Sequence, residues 1–129
     1  MSVVEYAAEI RRHILNTPHV VSHSLAYEDR PPLGAIVNGS VIFADGSCLY
    51  FKEFLQLRPG IARLKYAYHY ITPTRRLAFR YDNARDPAAR HLPTYPDHRH
   101  IPDALLPSPA PALTTVLREA AACVPYSSR

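Results

Sequence analysis

Short connectors constrain this chain more than any other feature. Asp45-Gly46 joins two β-rich runs, AIVNGSVIFA at 35–44 and SCLYFKEFLQL at 47–57. Arg58-Pro59-Gly60 and Thr72-Pro73-Thr74 then set off IARLKYAYHYI at 61–71 and RRLAFRYDN at 75–83. A parallel crossover needs about a dozen residues or more, and none of these connectors has room for one, so the runs must form an antiparallel meander. At Asp45-Gly46 a type I′ turn is expected, with positive φ at both central residues. Pairing around Pro73-Thr74 would set Tyr70 opposite Leu77, Tyr68 opposite Phe79, Tyr66 opposite Tyr81, Ala67 opposite Arg80 and Lys65 opposite Asp82.

A further β-rich run, VVSHSLAY at 20–27, precedes these four and makes the sheet five-stranded over residues 20–83. Before it, residues 2–15 place Val3, Val4, Ala7, Ile10 and Ile14 at spacings of three and four, the pattern of an amphipathic helix that Pro18 ends. Between Asp86 and Pro111 prolines at 87, 93, 96, 102, 107, 109 and 111 should break any regular element. Residues 84–111 are therefore expected to be a Pro- and His-rich loop, and ALTTVLREAAACV at 112–124 a short helix, with fraying after Val124. The fold class predicted is α+β, in a single domain over residues 1–129.

With 47% hydrophobic and 20% charged residues, wholesale disorder is excluded. Fifteen Lys and Arg against eleven Asp and Glu leave a net charge of +4, a modest bias toward polyanions. Cys48 and Cys123 belong to no C-x-x-C pattern and read as small buried hydrophobes. No secretory h-region and no apolar run of membrane-spanning length is found, so a soluble cytoplasmic protein is expected, with no membrane association. No nucleotide-binding Gly-rich motif occurs, and no cofactor is expected.

Chemistry concentrates in FRYDNARDPAARHLPTYPDHRH, residues 79–100. Cutting RNA without a metal takes a base for the 2′-hydroxyl proton, an acid for the leaving oxygen and a cation for the phosphorane charge. Arg80, Asp82, His98 and His100 supply those groups, and imidazole suits proton transfer near neutral pH. The competing reading is structural, with Arg80 and Asp82 as an ion pair and the histidines as solvated loop residues. Asp97, His98 and His100 also invite a metal reading, with His91 as a third imidazole, but without cysteine partners or a zinc-binding helix motif no metal is assigned. Glu53, within the apolar run LYFKEFL, must either reach water at a sheet edge or pair with Arg or Lys as a buried carboxylate with a general-base role. Tyr66, Tyr68 and Tyr70 alternate on one strand. They are read as core rather than as stacking platforms, which leaves Lys65, His69, Arg76 and Arg80 facing phosphate.

FADGSCLYFKE, KYAYHY, LAFRYDNA and HLPTYPDHRH, in that order across residues 40–101, resemble the pattern of TumE-type toxins of bacterial toxin–antitoxin modules. The resemblance implies a growth-inhibiting toxin neutralised by a helix-turn-helix, TumA-like antitoxin, with Glu53, Tyr68, Arg80, Asp82, Asn83, His98 and His100 at the motif positions. Relatives tend to carry a histidine just after the Asp-Asn pair, where this chain reads Ala84-Arg85-Asp86-Pro87. The function expected is RNA cleavage or interference with RNA and translation. Arg80, Asp82, His98, His100 and Glu53 are the catalytic candidates, and Lys65, His69, Arg76 and Arg99 the nucleic-acid-binding ones. A metal-independent ribonuclease is the enzymatic form of this reading. A non-catalytic module that binds nucleic acid or protein is the alternative, and a homodimer is left open.

Overall fold

The computed structural model describes residues 1–125, so expectations for 126–129 lie outside the described residues. Among the described residues, helix α1 (Val3–Leu15) leads into strands β1 (Val20–Arg30), β2 (Gly34–Phe43), β3 (Cys48–Gln56), β4 (Ala62–Ile71) and β5 (Leu77–Asp82). A short 3-10 turn at Pro87–Ala89 precedes β6 (His98–Ile101), β7 (Ala104–Pro107) and helix α2 (Leu113–Cys123). The sheet is a meander in the order β1 to β7, with every neighbouring pair antiparallel. The α+β class with two helices stands, but the sheet has seven strands, not five.

The two extra strands lie inside the stretch expected to be an irregular loop. Its prolines spare the ladder. Pro93 and Pro96 precede β6, Pro102 sits in the two-residue turn closed by the Ile101–Ala104 pair, and Pro107 ends β7 on the sheet's outer edge. A missing backbone donor is tolerated in a turn or on an edge strand.

Both tight hairpins use the same connection, and it is longer than expected. Phe43 N donates to Ser47 O and Gly46 N to Phe43 O, each 2.9 Å. Thr72 N donates to Arg76 O and Arg75 N to Thr72 O, at 2.8 and 2.9 Å. Each is a three-residue loop whose last residue is left-handed: Gly46 at φ 87° and Arg75 at φ 68°. The third loop residue moves the β4–β5 register by one and a bulge at the Tyr70–Ile71 step moves it by one more, so that Tyr70 faces Phe79, Tyr68 faces Tyr81 and Ala67 faces Asp82. A two-residue move keeps every side chain on its face.

One face of the sheet carries the core. Val37, Val41, Leu49, Phe51, Leu55, Tyr68, Tyr70 and Phe79 pack with Ile10 and Ile14 of α1 and Val116 and Leu117 of α2. The three alternating tyrosines are core, as expected, with Tyr68 fully buried. Helix α1 is capped reciprocally: Glu5 N donates to Ser2 Oγ at 3.1 Å and Ser2 N to Glu5 Oε1 at 2.9 Å. Val4, read as part of its apolar stripe, is exposed, and so is Cys123, whereas Cys48 is buried.

Candidate functional site

The opposite face of the sheet is polar through its middle rows. Successive Cα partners run Ser24, Ser40, Tyr50, His69, Arg80, His100 and Leu105 across all seven strands. Directly opposed residues of an antiparallel pair project to the same side, so this is one continuous row. The neighbouring row runs Asn38, Lys52, Ala67, Asp82 and His98. Lys52 and Lys65 are exposed, Tyr50 is 46% exposed, and a shallow groove of about 510 Å³ is lined by Ser40, Tyr50, Lys52, His69 and Arg80 among others.

At the β5–β6 end of this face four side chains converge. Arg80 Nε donates to Asp82 Oδ2 at 2.8 Å, and Ala84 N donates to Asp82 Oδ1 at 3.0 Å. His98 Nε2 lies 3.0 Å from Asp82 Oδ1, and His100 Nε2 lies 3.6 Å from Asp82 Oδ2. The two imidazoles meet edge to face, with centroids 4.8 Å apart. Asp82 and His98 are buried, while Arg80 and His100 keep about a third of their side chains in solvent. Burial holds the His100 pKa below the ordinary histidine value, with His98 and Arg80 adding to the effect and Asp82 opposing it. His69 is lowered in the same way, by burial and then by Arg80 and His100.

The motif residues around this cluster build the strand ends. Asn83 Oδ1 accepts from Tyr66 N and its Nδ2 donates to Leu64 O, both at 3.0 Å, so the side chain continues the β4–β5 ladder beyond the backbone. The Pro96 carbonyl accepts from His98 Nδ1 at 2.6 Å and so sets the ring's orientation. Asp86, in the segment where a histidine was expected, accepts from Ala88 N at 2.9 Å and caps the 3-10 turn. His91 is exposed and stands outside the cluster. Asp97 also stands outside it, accepting instead from Tyr66 OH at 2.7 Å on the core face. The carboxylate that joins the two histidines is Asp82, brought from β5.

Other sequence candidates divide between the two faces. Lys65 and His69 lie on the polar face with Arg80, and Arg76 is exposed in the β4–β5 hairpin loop. Arg99 points to the core face, where Nη2 donates to Glu119 Oε2 at 2.6 Å and the guanidinium lies 5.3 Å from the Tyr81 ring. Glu53 is also on the core face and 1% exposed. Its carboxylate accepts from Tyr6 OH and Tyr68 OH, and Arg63 Nη1 stands 4.0 Å away. Burial, and then the Glu53 charge, raise both phenol pKa values. Glu53 does border a second pocket, about 430 Å³, with Tyr6, His13 and Arg63. Sequence reasoning missed Tyr50 and Lys52 on the polar face. The alternation of β3 held the signal, since Leu49, Phe51, Glu53 and Leu55 claim the core parity.

The sequence model of the family described as Toxin TumE matches residues 10–124, well beyond the 40–101 span of the motifs. The chain belongs to the TumE toxin family. No curated protein and no solved structure matches it. Membership gives this TumE-family chain a toxin role and, in general, an antitoxin partner. Among the described residues no helix is long and apolar enough to cross a membrane.

Proposed function

We propose that this toxin arrests growth by acting on RNA, holding the phosphate backbone along the polar face of its sheet and attacking it at the β5–β6 end. A TumA-like helix-turn-helix antitoxin would restrain it by direct binding. One observation carries the reading: Arg80 and His100 are Cα partners, both partly in solvent, at the end of a row that includes Tyr50 and His69 and borders Lys52. Arg80 is placed to counter charge developing on a phosphoryl oxygen, and His100 offers the imidazole within reach for proton transfer. Asp82 and His98 are too buried to meet a substrate and act by holding those two in place.

Inducible expression in a bacterial host tests this. The wild-type chain should stop growth, and co-expression of a neighbouring helix-turn-helix gene should restore it and co-purify with the toxin. His100→Ala removes a proton-transfer group, a loss of roughly 100- to 10,000-fold in rate, and should abolish toxicity in a folded protein. Arg80→Lys should impair it as well, because a point charge cannot reproduce a planar fork on phosphate. A folded His100→Ala chain that remains fully toxic would remove the catalytic reading. The burial of Asp82 and His98 favours a second reading, in which the polar face blocks RNA without cutting it, and intact RNA during growth arrest would select that one.

A further inference from the structure

We infer that Asp82, His98 and His100 bind a divalent first-row transition metal, zinc being the ion their donors suit best. The inference competes with the proposed function for one atom, since His100 Nε2 cannot hold a metal and move a proton at once, and the two are tested separately. A carbonyl oxygen can only accept, so the 2.6 Å contact to Pro96 O puts a proton on His98 Nδ1. In the neutral ring Nε2 is then a bare lone pair. It is buried, has no directional hydrogen-bond partner among the described residues, and sits 3.0 Å from Asp82 Oδ1, a second acceptor. Two acceptors facing each other in a buried place need positive charge between them.

A proton could serve His98 and Asp82, but it would not account for the approach of His100 Nε2 to Asp82 Oδ2, which at 3.6 Å is too long for a hydrogen bond. A metal uses all three. Bonds of about 2.0–2.1 Å in tetrahedral array place donor atoms about 3.3 Å apart. The two rings approach different oxygens of the Asp82 carboxylate at distances near that value, His98 Nε2 at 3.0 Å from Oδ1 and His100 Nε2 at 3.6 Å from Oδ2, and one donor atom from each of the three residues falls within 4.8 Å of the others.

The surroundings are those of a ligand set already aimed. Pro96 O holds His98, while Arg80 Nε and Ala84 N hold the Asp82 carboxylate, the kind of outer contact that orients metal ligands. Both histidines project from one side of β6 and Asp82 from the paired strand β5. Three protein donors with His100 partly in solvent leave a coordination position open, as in catalytic rather than structural zinc sites. Nitrogen and oxygen donors without thiolate favour zinc or manganese over copper(I). The Arg80 guanidinium beside the carboxylate opposes a cation, so the affinity should fall below that of thiolate zinc sites.

The test is a Co²⁺ titration of the full chain after chelator treatment, followed by displacement with Zn²⁺. The expected result is visible cobalt absorption that saturates at one equivalent, disappears with Zn²⁺ and lacks a thiolate charge-transfer band. His100→Ala, a change at a partly exposed position, should weaken Co²⁺ binding at least about 10-fold. His100→Cys should bind Co²⁺ with a new near-ultraviolet thiolate band, a signature that no indirect change of structure reproduces and one that stands if the alanine variant fails to fold. Absence of cobalt absorption in the wild type, a thiolate band there that reports Cys123, or unchanged binding in His100→Ala would each overturn the inference. RNA cleavage is scored separately on the metal-free chain: its absence there, with cobalt binding intact, would count against the proposed function alone.

Discussion

Glu53 on β3 and Arg80 on β5 stand on opposite faces of one sheet, Glu53 beneath Tyr6 of α1 and Arg80 beside the polar groove. The separation splits what could have been one site into a buried carboxylate with two phenols and an arginine, and a cluster of Arg80, Asp82 and two histidines facing away from the helices.

Glu53→Ala should therefore act on stability before anything else. It strips an acceptor from Tyr6 OH and Tyr68 OH and leaves Arg63 without its carboxylate, and breaking a buried pair from one side typically costs about 3–5 kcal/mol. Glu53→Gln keeps one acceptor oxygen and should cost less. Urea denaturation of the three proteins reads both effects. An alanine variant as stable as wild type, yet non-toxic, would instead make Glu53 a working group of the pocket it borders.

Arg99 should prove structural. Its guanidinium bridges Glu119 and the Phe79 and Tyr81 rings, and Tyr81 OH donates to the same Glu119 at 2.7 Å. Burial, followed by that bond, pushes the Tyr81 pKa up to about 12. A double-mutant cycle of Arg99→Ala with Glu119→Gln should return a coupling of about 0.5–3 kcal/mol. RNA affinity and its salt dependence should stay put in Arg99→Ala, and a reduced salt slope there would place Arg99 at the phosphate surface after all.

The hairpin loops invite an exchange of residue types. Arg75 holds a left-handed φ that costs a side-chain-bearing residue about 1–2 kcal/mol, while glycine gives back about 0.5–1 kcal/mol in chain entropy. Arg75→Gly should therefore gain up to about 1 kcal/mol. Gly46→Ala should lose a similar amount through the backbone alone, because a Cβ there meets nothing within 4 Å. Thermal melts of both variants check the opposite signs.

These loops also show how far the sequence reaches. Asp45-Gly46 and the short Pro73 connector fix antiparallel pairing, because no crossover fits, but they fix neither loop length nor bulges, and a third loop residue together with a bulge at the Tyr70–Ile71 step moved the β4–β5 register by two. Face assignment survived because the side-chain period is two. Strands β6 and β7 were hidden because HRHI and ALLP are short and a proline ends one of them, so proline density spoke louder than its placement in a turn and on an edge. Arg80, Asp82, His98 and His100 were legible as a set from their residue types and motif spacing. Their meeting depends on β5–β6 pairing, which a loop reading of residues 84–111 could not supply, and Asp82 rather than Asp97 completes the group for that reason.

The polar row predicts how RNA should lie on the sheet. Tyr50 is half exposed, on the strand next to His69, and can offer its ring to a base, whereas Lys52 and Lys65 project from the same face without a carboxylate within ion-pair distance among the described residues. Stacking on an aromatic ring contributes about 1–3 kcal/mol per base, and each phosphate contact on single-stranded RNA contributes about 0.7 to the slope of log affinity against log salt. Tyr50→Ala should thus weaken binding of a short single-stranded RNA by roughly 5- to 150-fold at every salt concentration, with the slope unchanged. Lys52→Ala and Lys65→Ala should each lower the slope by about 0.7 and leave the melting temperature near wild type, since both side chains are exposed. Fluorescence anisotropy over a salt series separates the two kinds of loss. If Tyr50→Ala changes nothing while both lysine variants behave as stated, the face holds phosphate without stacking bases. If all three bind RNA as the wild type does, RNA does not lie on this face, and the pocket beside Glu53 becomes the place to look.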